Sequence, residues 1–338
     1  MNNSKNIKTI LVLASKSDVH ADAVIHHSQN SGQKIIRIDT EELWVQKSSI
    51  SWEVNTLSNG QFLRWGDKLI DANNVSAIYC RDFRFAKCET AEDVNTHLLF
   101  AEAKAALYGF FRALEDRYWM NPPWYDEMAD NKPYQMLCAS NIGLEIPKTL
   151  VTNDKKSFER FYHACDKDLI IKQLSEICLI DDTEIKKKGH IEGSDATAYG
   201  FFTEKIIVDH LKNLDQITNT PCLFQENLKK KADIRVTVVE EEVFCVLIES
   251  QENKKSVTDF RMVRDLPLKN YNLPEEISNR LVILIKNWNL KFAACDFVLT
   301  HNDKLVFIEA NVEGNWLWIE KALDIPISRT IADILTNS

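Results

Sequence analysis

The sequence predicts a mixed α/β fold with some α+β character, spread over more than one domain, and three observations carry this expectation. The first 120 residues alternate apolar, strand-like runs with helical periodicity. The last third holds two pairs of β-rich runs, each pair around a short polar turn, with an amphipathic helix between the pairs. The third observation is length: 338 residues, 45% hydrophobic and 27% charged, suffice for one large or two to three ordinary cores.

In chain order, residues 7–13 are a buried-type strand, 21–30 a helix, 34–38 a second strand and 75–79 a later one. Residues 50–54 and 61–65 alternate around Ser58-Asn59-Gly60, a hairpin signal. Leu99, Ala103, Ala106, Phe110, Ala113 and Leu114 share one face of a long helix. That helix ends before Asn121-Pro122-Pro123-Trp124, which marks a domain boundary near residue 125. A helix (133–140), a strand (148–151), a helix (157–165) and a strand (169–172) follow. Residues 175–203 are polar, without period, and carry Gly189, Gly193 and Gly200, as a lid would. A second boundary falls near residue 224. Beyond it come strands 232–239 and 243–250, a helix opened by Pro274-Glu275-Glu276, strands 292–300 and 304–310, and a closing helix through Ile327, Ile331, Ile334 and Leu335.

Composition excludes several functions. The net charge of −9, with no basic tail, argues against nucleic acid as a partner. Eight scattered cysteines, with no C-x-x-C, read as reduced thiols of a cytoplasmic protein. The apolar run at 10–14 is far short of the roughly 20 residues that span a bilayer, so no membrane partner is expected. Only nine glycines are present, and neither G-x-G-x-x-G nor G-x-x-x-x-G-K-[ST] occurs. A nucleotide would have to be held in some other way.

The chemistry gathers near the C-terminus. Asp296 interrupts the apolar run 293–299, and Glu309 and Asn311 end the run 306–311. A carboxylate in such a run is costly to bury unless it is paired or ligates a cation. With a two- or four-residue turn at His301-Asn302, Asp296 lies opposite Phe307, and Glu309 becomes its diagonal neighbour about 7–8 Å away, with Asn311 following on the same face. Two carboxylates and a carboxamide are hard oxygen donors suited to Mg²⁺. A three-residue turn would put Asp296 on the wrong face, and strand-end residues facing water are the plain alternative. Lys172 ends an apolar strand, where it could reach phosphates or be solvated.

The order of these residues carries more than any one of them. Lys132, Lys172, the polar lid, Gln225-Glu226, Asp233-Ile234-Arg235, Asp259-Phe260-Arg261, and then Asp296, Glu309 and Asn311 together resemble the ATP-grasp superfamily over nearly the whole chain. The closer likeness is to the graspetide synthetases, the microviridin-type peptide ligases. It rests on residues 79–85, 224–228, the hairpin 234–250, residues 259–261 and 309–316. The resemblance implies an ATP-grasp fold: a pre-ATP-grasp domain at 1–125, a central domain with lid at 126–224, and a C-terminal domain with the metal site at 225–338.

It further implies that Lys132 and Lys172 contact ATP phosphates, that Glu226 and Asn227 line the adenine hinge and that Asp233 meets the ribose. Arg261 would touch the γ-phosphate side, and Asp296, Glu309 and Asn311 would hold one or two Mg²⁺ ions. Arg235 is assigned to catalysis with Arg261, or else pairs with a neighbouring carboxylate. Arg81 and Arg84 would steer the peptide, with packing or surface pairing as the even alternative. The implied reaction activates Asp or Glu side chains of a ribosomally made precursor, with leader and acidic core, as acyl phosphates. These then join Thr or Ser hydroxyls or Lys amines, and the enzyme would be a homodimer. Two departures bear on the peptide. Asp82 stands where the family commonly has an arginine, and Asn311-Val312-Glu313-Gly314 replaces Asn-Pro-x-Gly. An ATP-grasp ligase that adds an amino acid to a peptide or protein, like the ribosomal-protein glutamate ligases, is the first rival. A peptide-binding protein that has lost catalysis is the second.

Overall fold

The computed structural model describes residues 7–39, 50–51, 62–81, 83, 94–174 and 203–338. Residues 175–202 of the expected lid, the turn Ser58-Asn59-Gly60 and Arg84 lie outside these residues.

The N-terminal part is built on a four-stranded parallel sheet in the order β2 (Lys34–Ile38), β1 (Thr9–Leu13), β6 (Val75–Cys80), β7 (Tyr118–Met120). Strand β1 is buried throughout, as its unbroken apolar run requires in a sheet covered on both faces. Helix α1 (Val19–Ser28) starts where Asp18 accepts a hydrogen bond from the Ala21 amide at 2.7 Å. A small antiparallel sheet joins β3 (Ile50–Ser51), β4 (Phe62–Trp65) and β5 (Lys68–Asp71), so the two expected strands do pair. Helix α2 (Val94–Arg112) buries Leu107, Phe110 and Phe111, with Leu114 just beyond it, and Leu99 is exposed. Among the described side chains of this helix, the fully buried ones lie in the C-terminal half, a shorter stretch than the periodicity predicts.

Next come α3 (Pro123–Ala129) and α4 (Lys132–Asn141), the latter capped by Asn131. A second, antiparallel sheet has the order β10 (Glu204–Lys205), β9 (Leu169–Lys172), β11 (Cys222–Glu226), β8 (Thr149–Thr152). Helix α5 (Lys155–Ala164) covers it through Phe158, which meets Phe224 edge to face at 4.8 Å. The short helix α6 (Val208–Lys212) follows β10.

The third sheet is antiparallel, ordered β14 (Leu268–Asn270), β13 (Glu242–Ile248), β12 (Lys230–Val239), β15 (Phe292–Thr300), β16 (Leu305–Asn311). Ile234, Val236 and Val238 of β12 join Ala293, Cys295 and Phe297 of β15, Leu281 and Leu284 of α7 (Glu275–Asn287) and Trp288 just after it in one core. Met136 and Ala139 of α4 belong to the same core. Because side chains alternate along a strand, Asp233, Arg235 and Asp296 fall on the other face. The chain closes with α8 (Leu317–Leu323) and α9 (Ile327–Asn337). Ile331 and Leu335 of α9 pack in one cluster with Ile10 and Val12 of β1 and Val24 of α1.

Candidate active site

The open face of the third sheet carries a row of charges across three neighbouring strands. Arg235 of β12 pairs in register with Asp296 of β15, and Asp296 pairs with Glu309 of β16. Arg235 donates from Nη1 to both carboxylate oxygens of Asp296 at 2.9 Å and from Nη2 to the Asn315 carbonyl at 3.1 Å. Asn311 lies on the same face, its Nδ2 3.4 Å from Asp296 Oδ2.

The register corrects the expected one. The β15–β16 turn has three residues, 301–303, closed by the Thr300 amide on the Lys304 carbonyl at 2.9 Å, with Asp303 at φ +57°. That turn alone would set Asp296 opposite Ile308. A bulge between the pairs Asp296/Glu309 and Phe297/Phe307 leaves Ile308 unpaired and restores Glu309 to the Asp296 face. Glu309 is thus a direct neighbour and not a diagonal one.

Two opposed fields act on the pair. Burial pushes the Asp296 carboxyl above its ordinary value, Arg235 opposes this and Glu309 adds to it. Burial also acts to raise Glu309, but Lys172, Lys132, Arg261 and Arg235 overcome it and hold the carboxyl below its ordinary value. Lys172, deeply set, is pushed down by burial, with Glu309 opposing. Lys132 reaches this field because Gln135, one turn along α4, clamps the helix to β16. Its Nε2 donates to the Ala310 carbonyl at 2.7 Å, and its Oε1 accepts from the Ala310 amide at 3.0 Å.

A cleft opens between the second and third sheets, with Ile170, Lys172, Gln225, Glu226, Asn227 and Leu228 on one side. Lys230, Asp233, Asp259, Arg261, Asp296 and Glu309 also line it. The expected hinge residues are partly engaged: Glu226 Oε1 accepts from the Lys148 amide at 2.8 Å, and Asn227 Nδ2 donates to Asp168 at 3.0 Å. Asp233 is buried, and its carboxyl is raised by burial against the pull of Lys230, whose Nζ lies 2.8 Å away. Arg261 leaves half its side chain exposed while Asp259 holds it at 2.6 Å. Asp259 remains below its ordinary value despite burial because Arg261 and backbone amides bind its charged form.

A larger cleft of about 960 Å³ adjoins the first and shares Phe260, Arg261, Asp296 and Glu309 with it. Arg81 lines this second space, buried, with Nη2 2.5 Å from Asn315 Oδ1 and with the Glu313 carbonyl as acceptor for Nη1. Arg81 therefore braces the 313–315 loop. Gly314 in that loop is required by close approach: a Cβ there would stand 2.4 Å from the Ala294 Cβ and 3.0 Å from Arg235 Nη2.

Lys230, Thr203 and Asp126 line these clefts without having been singled out from the sequence. Lys230 sits in a run of three lysines that reads as solvated surface, and Asp126 in a short helix with no period to betray its inward face. Asp259 was visible only as part of Asp259-Phe260-Arg261. Two carboxylates and a carboxamide form the donor set at Asp296, Glu309 and Asn311. Among the described residues no group of three or more His, Cys, Asp and Glu could hold a metal ion. The hard oxygens on one face, set in a cationic surround, nonetheless fit Mg²⁺ shared with phosphates, because Mg²⁺ usually takes only one or two carboxylates from the protein.

Residues 9–127 match the family model "MvdD pre-ATP grasp domain". No curated protein matches the sequence. Among solved structures, a Chryseobacterium gregarium RiPP-associated ATP-grasp ligase, in complex with ADP and a leader and core peptide, superposes with TM-score 0.84 at 24% identity, over 98% of this chain and 97% of that one. The macrocyclase MdnC of Microcystis aeruginosa MRC, bound with precursor peptide MdnA, gives TM-score 0.82 at 25% identity, over 98% and 99%. The ATP-grasp ligase PsnB, complexed with a phosphomimetic precursor variant, Mg and ADP, gives 0.75 at 19%, over 98% and 99%. The chain therefore has the ATP-grasp fold with an MvdD-type pre-ATP-grasp domain, the architecture of the RiPP ATP-grasp ligases.

Proposed function

We propose that the protein is an ADP-forming, ATP-dependent ligase that closes rings in a ribosomally made precursor peptide by activating Asp or Glu side chains. The observation that supports this most is the junction of two clefts at Asp296, Glu309 and Arg261. A nucleotide in the smaller space would present its γ-phosphate to a peptide in the larger one. The pairing of MdnC with a precursor peptide, in a structure of the same fold, supports the substrate class.

In this reading Lys172, Lys132 and Arg261 bind the phosphates, Glu226 and Asn227 bound the base and Asp233 faces the ribose. Asp296, Glu309 and Asn311 hold Mg²⁺, which when bound neutralises phosphate charge. The substrate carboxylate oxygen attacks the γ-phosphorus, the bond to the β-phosphate oxygen breaks, and ADP leaves. A hydroxyl or amine of the same peptide then attacks the acyl carbon, the bond to the phosphate oxygen breaks, and inorganic phosphate departs. Arg235 acts through Asp296, fixing its carboxylate with paired hydrogen bonds. Arg81 supports the 313–315 loop on the peptide side, and Arg84 is assigned to the same side from resemblance. The domain limits 1–125, 126–224 and 225–338, a homodimer and a cytoplasmic setting belong to the same proposal.

The test mixes enzyme, ATP and Mg²⁺ with the short acidic peptide encoded beside the gene. Loss of one water per bond, with ADP release, is the expected mass signature. Gain of an amino-acid mass would favour ligation of separate molecules instead. No ADP with any acidic peptide would return the protein to the class of binding proteins.

A further inference from the structure

The larger cleft contains groups of opposite character. Arg235 and Arg261 gather at Asp296 and Glu309, where an acyl phosphate would form. Elsewhere in the same cleft stand Asp126, in the middle of α3, Asp130, its C-cap, and Glu313, in the loop that follows β16. The charged groups that act on Asp126 are these two acids. Asp126 Oδ1 is shut off from water and has no hydrogen-bond partner among the described residues. Burial, with Glu313 and Asp130 adding to it, drives its carboxyl well above the ordinary value. An orphaned, buried carboxyl oxygen is costly to keep. Keeping one on a cleft wall makes physical sense where an incoming donor completes it.

We propose that Asp126, flanked by Glu313 and Asp130, is the subsite for the ammonium group of an acceptor lysine, so that the bond made is an amide. This rests on the ligase reading above and names its nucleophile. An ammonium group carries three donors and a full positive charge, which suits a cluster of carboxyls and favours the ionised form of Asp126 once it is seated there. A Thr or Ser hydroxyl has one donor, no charge, and no need of three carboxyls. A divalent metal fits less well, since these acids form no ligand cluster. In the step itself the amine nitrogen attacks the acyl carbon and the C–N bond forms as the C–O bond to phosphate breaks. Of the two protons the ammonium nitrogen sheds, one leaves with phosphate as hydrogen phosphate and one goes to bulk water.

The test uses the full-length enzyme with two synthetic peptides, each carrying the leader encoded beside the gene and an acidic core, differing only in lysine or threonine at the acceptor positions. Hydroxylamine, a small neutral nucleophile, traps the acyl phosphate as hydroxamate and reports activation separately from acceptor capture. The wild type is expected to crosslink the lysine peptide at least about tenfold faster than the threonine peptide, since a charge pair in a dry site is worth a tenfold factor or more. Asp126→Asn keeps the shape and removes the charge. It is expected to lower the ratio of amide to hydroxamate by at least about tenfold, with part of the ratio recovered in Asp126→Glu. An unchanged ratio in Asp126→Asn, or equal losses with the lysine and threonine peptides, would overturn the assignment. If the wild type yields no hydroxamate from either peptide, the ligase reading fails, and the subsite fails with it.

Discussion

Asp296 and Glu309 face each other directly across β15 and β16, although the turn that joins these strands has the wrong parity to bring them together. One unpaired residue, Ile308, repairs the parity. The same bulge explains why Phe307 and Ala310, three positions apart, both point into the core. Glu309→Ala is expected to abolish ADP formation and leave the fold intact, because Glu309 lines a cleft and is no part of the apolar core. Retained turnover, measured by coupled ADP release beside an unchanged circular dichroism spectrum, would sink the metal assignment.

Arg235 and Asp296 form a buried pair, and removing one partner of such a pair costs about 3–5 kcal/mol because the other is left charged and unpaired. Arg235→Met should therefore lower urea-unfolding stability by that order and abolish turnover. Arg235→Lys should recover charge but not the paired hydrogen bonds, and so recover stability more than rate. Equal recovery of both would show that Arg235 supplies charge alone.

Gly314→Ala is expected to cost about 1–3 kcal/mol by overpacking, since the new methyl meets Ala294 and the Arg235 guanidinium. The double variant with Ala294→Gly should regain most of the loss. Thermal unfolding of the single and double variants measures this, and additive losses would refute the contact.

Asn121 is a buried clamp: its Nδ2 donates to the carbonyls of Phe292 and Val312, and its Oδ1 accepts from the amides of Lys291 and Phe292. Asn121→Ala leaves those groups without partners and should lower stability by about 2–4 kcal/mol. A change below the error of denaturant titration would show that water replaces the side chain freely.

Acid should destabilise the protein through His20. Burial, with Arg81 and Lys321 beside it and Asp18 opposing, lowers this imidazole from 6.5 to about 4. Between these values the unfolded chain binds a proton that the folded one refuses, so stability falls as pH drops from 6.5 toward 4, by about 3 kcal/mol in all. His20→Gln should flatten the stability profile in that window alone. An unchanged slope would place the acid sensitivity elsewhere.

The elements that apolar period defines, such as β1, β12, α7 and β15, were legible in the sequence to within a few residues. The shared face of Asp296 and Glu309 was legible too, though not their register, because the two residues break otherwise apolar strands. Features set by geometry without period were not legible. The bulge at Ile308 leaves no compositional mark, β10 is two residues long, and Asp126 and Lys230 turn inward only because of where their elements dock. Leu99 shows the converse error: helical spacing marks a face, and tertiary packing decides how much of it is covered.

The packing of α9 against β1 and α1 has a consequence for biogenesis. Lys8 Nζ donates to the carbonyl of Ser338 at 2.9 Å, and Ile331 and Leu335 cover Ile10, Val12 and Val24. A chain emerging from the ribosome makes β1 and α1 long before α9, which covers them. Folding of the N-terminal sheet then waits for α9 to emerge, and the nascent chain carries an uncovered apolar face that invites chaperone binding in the interval.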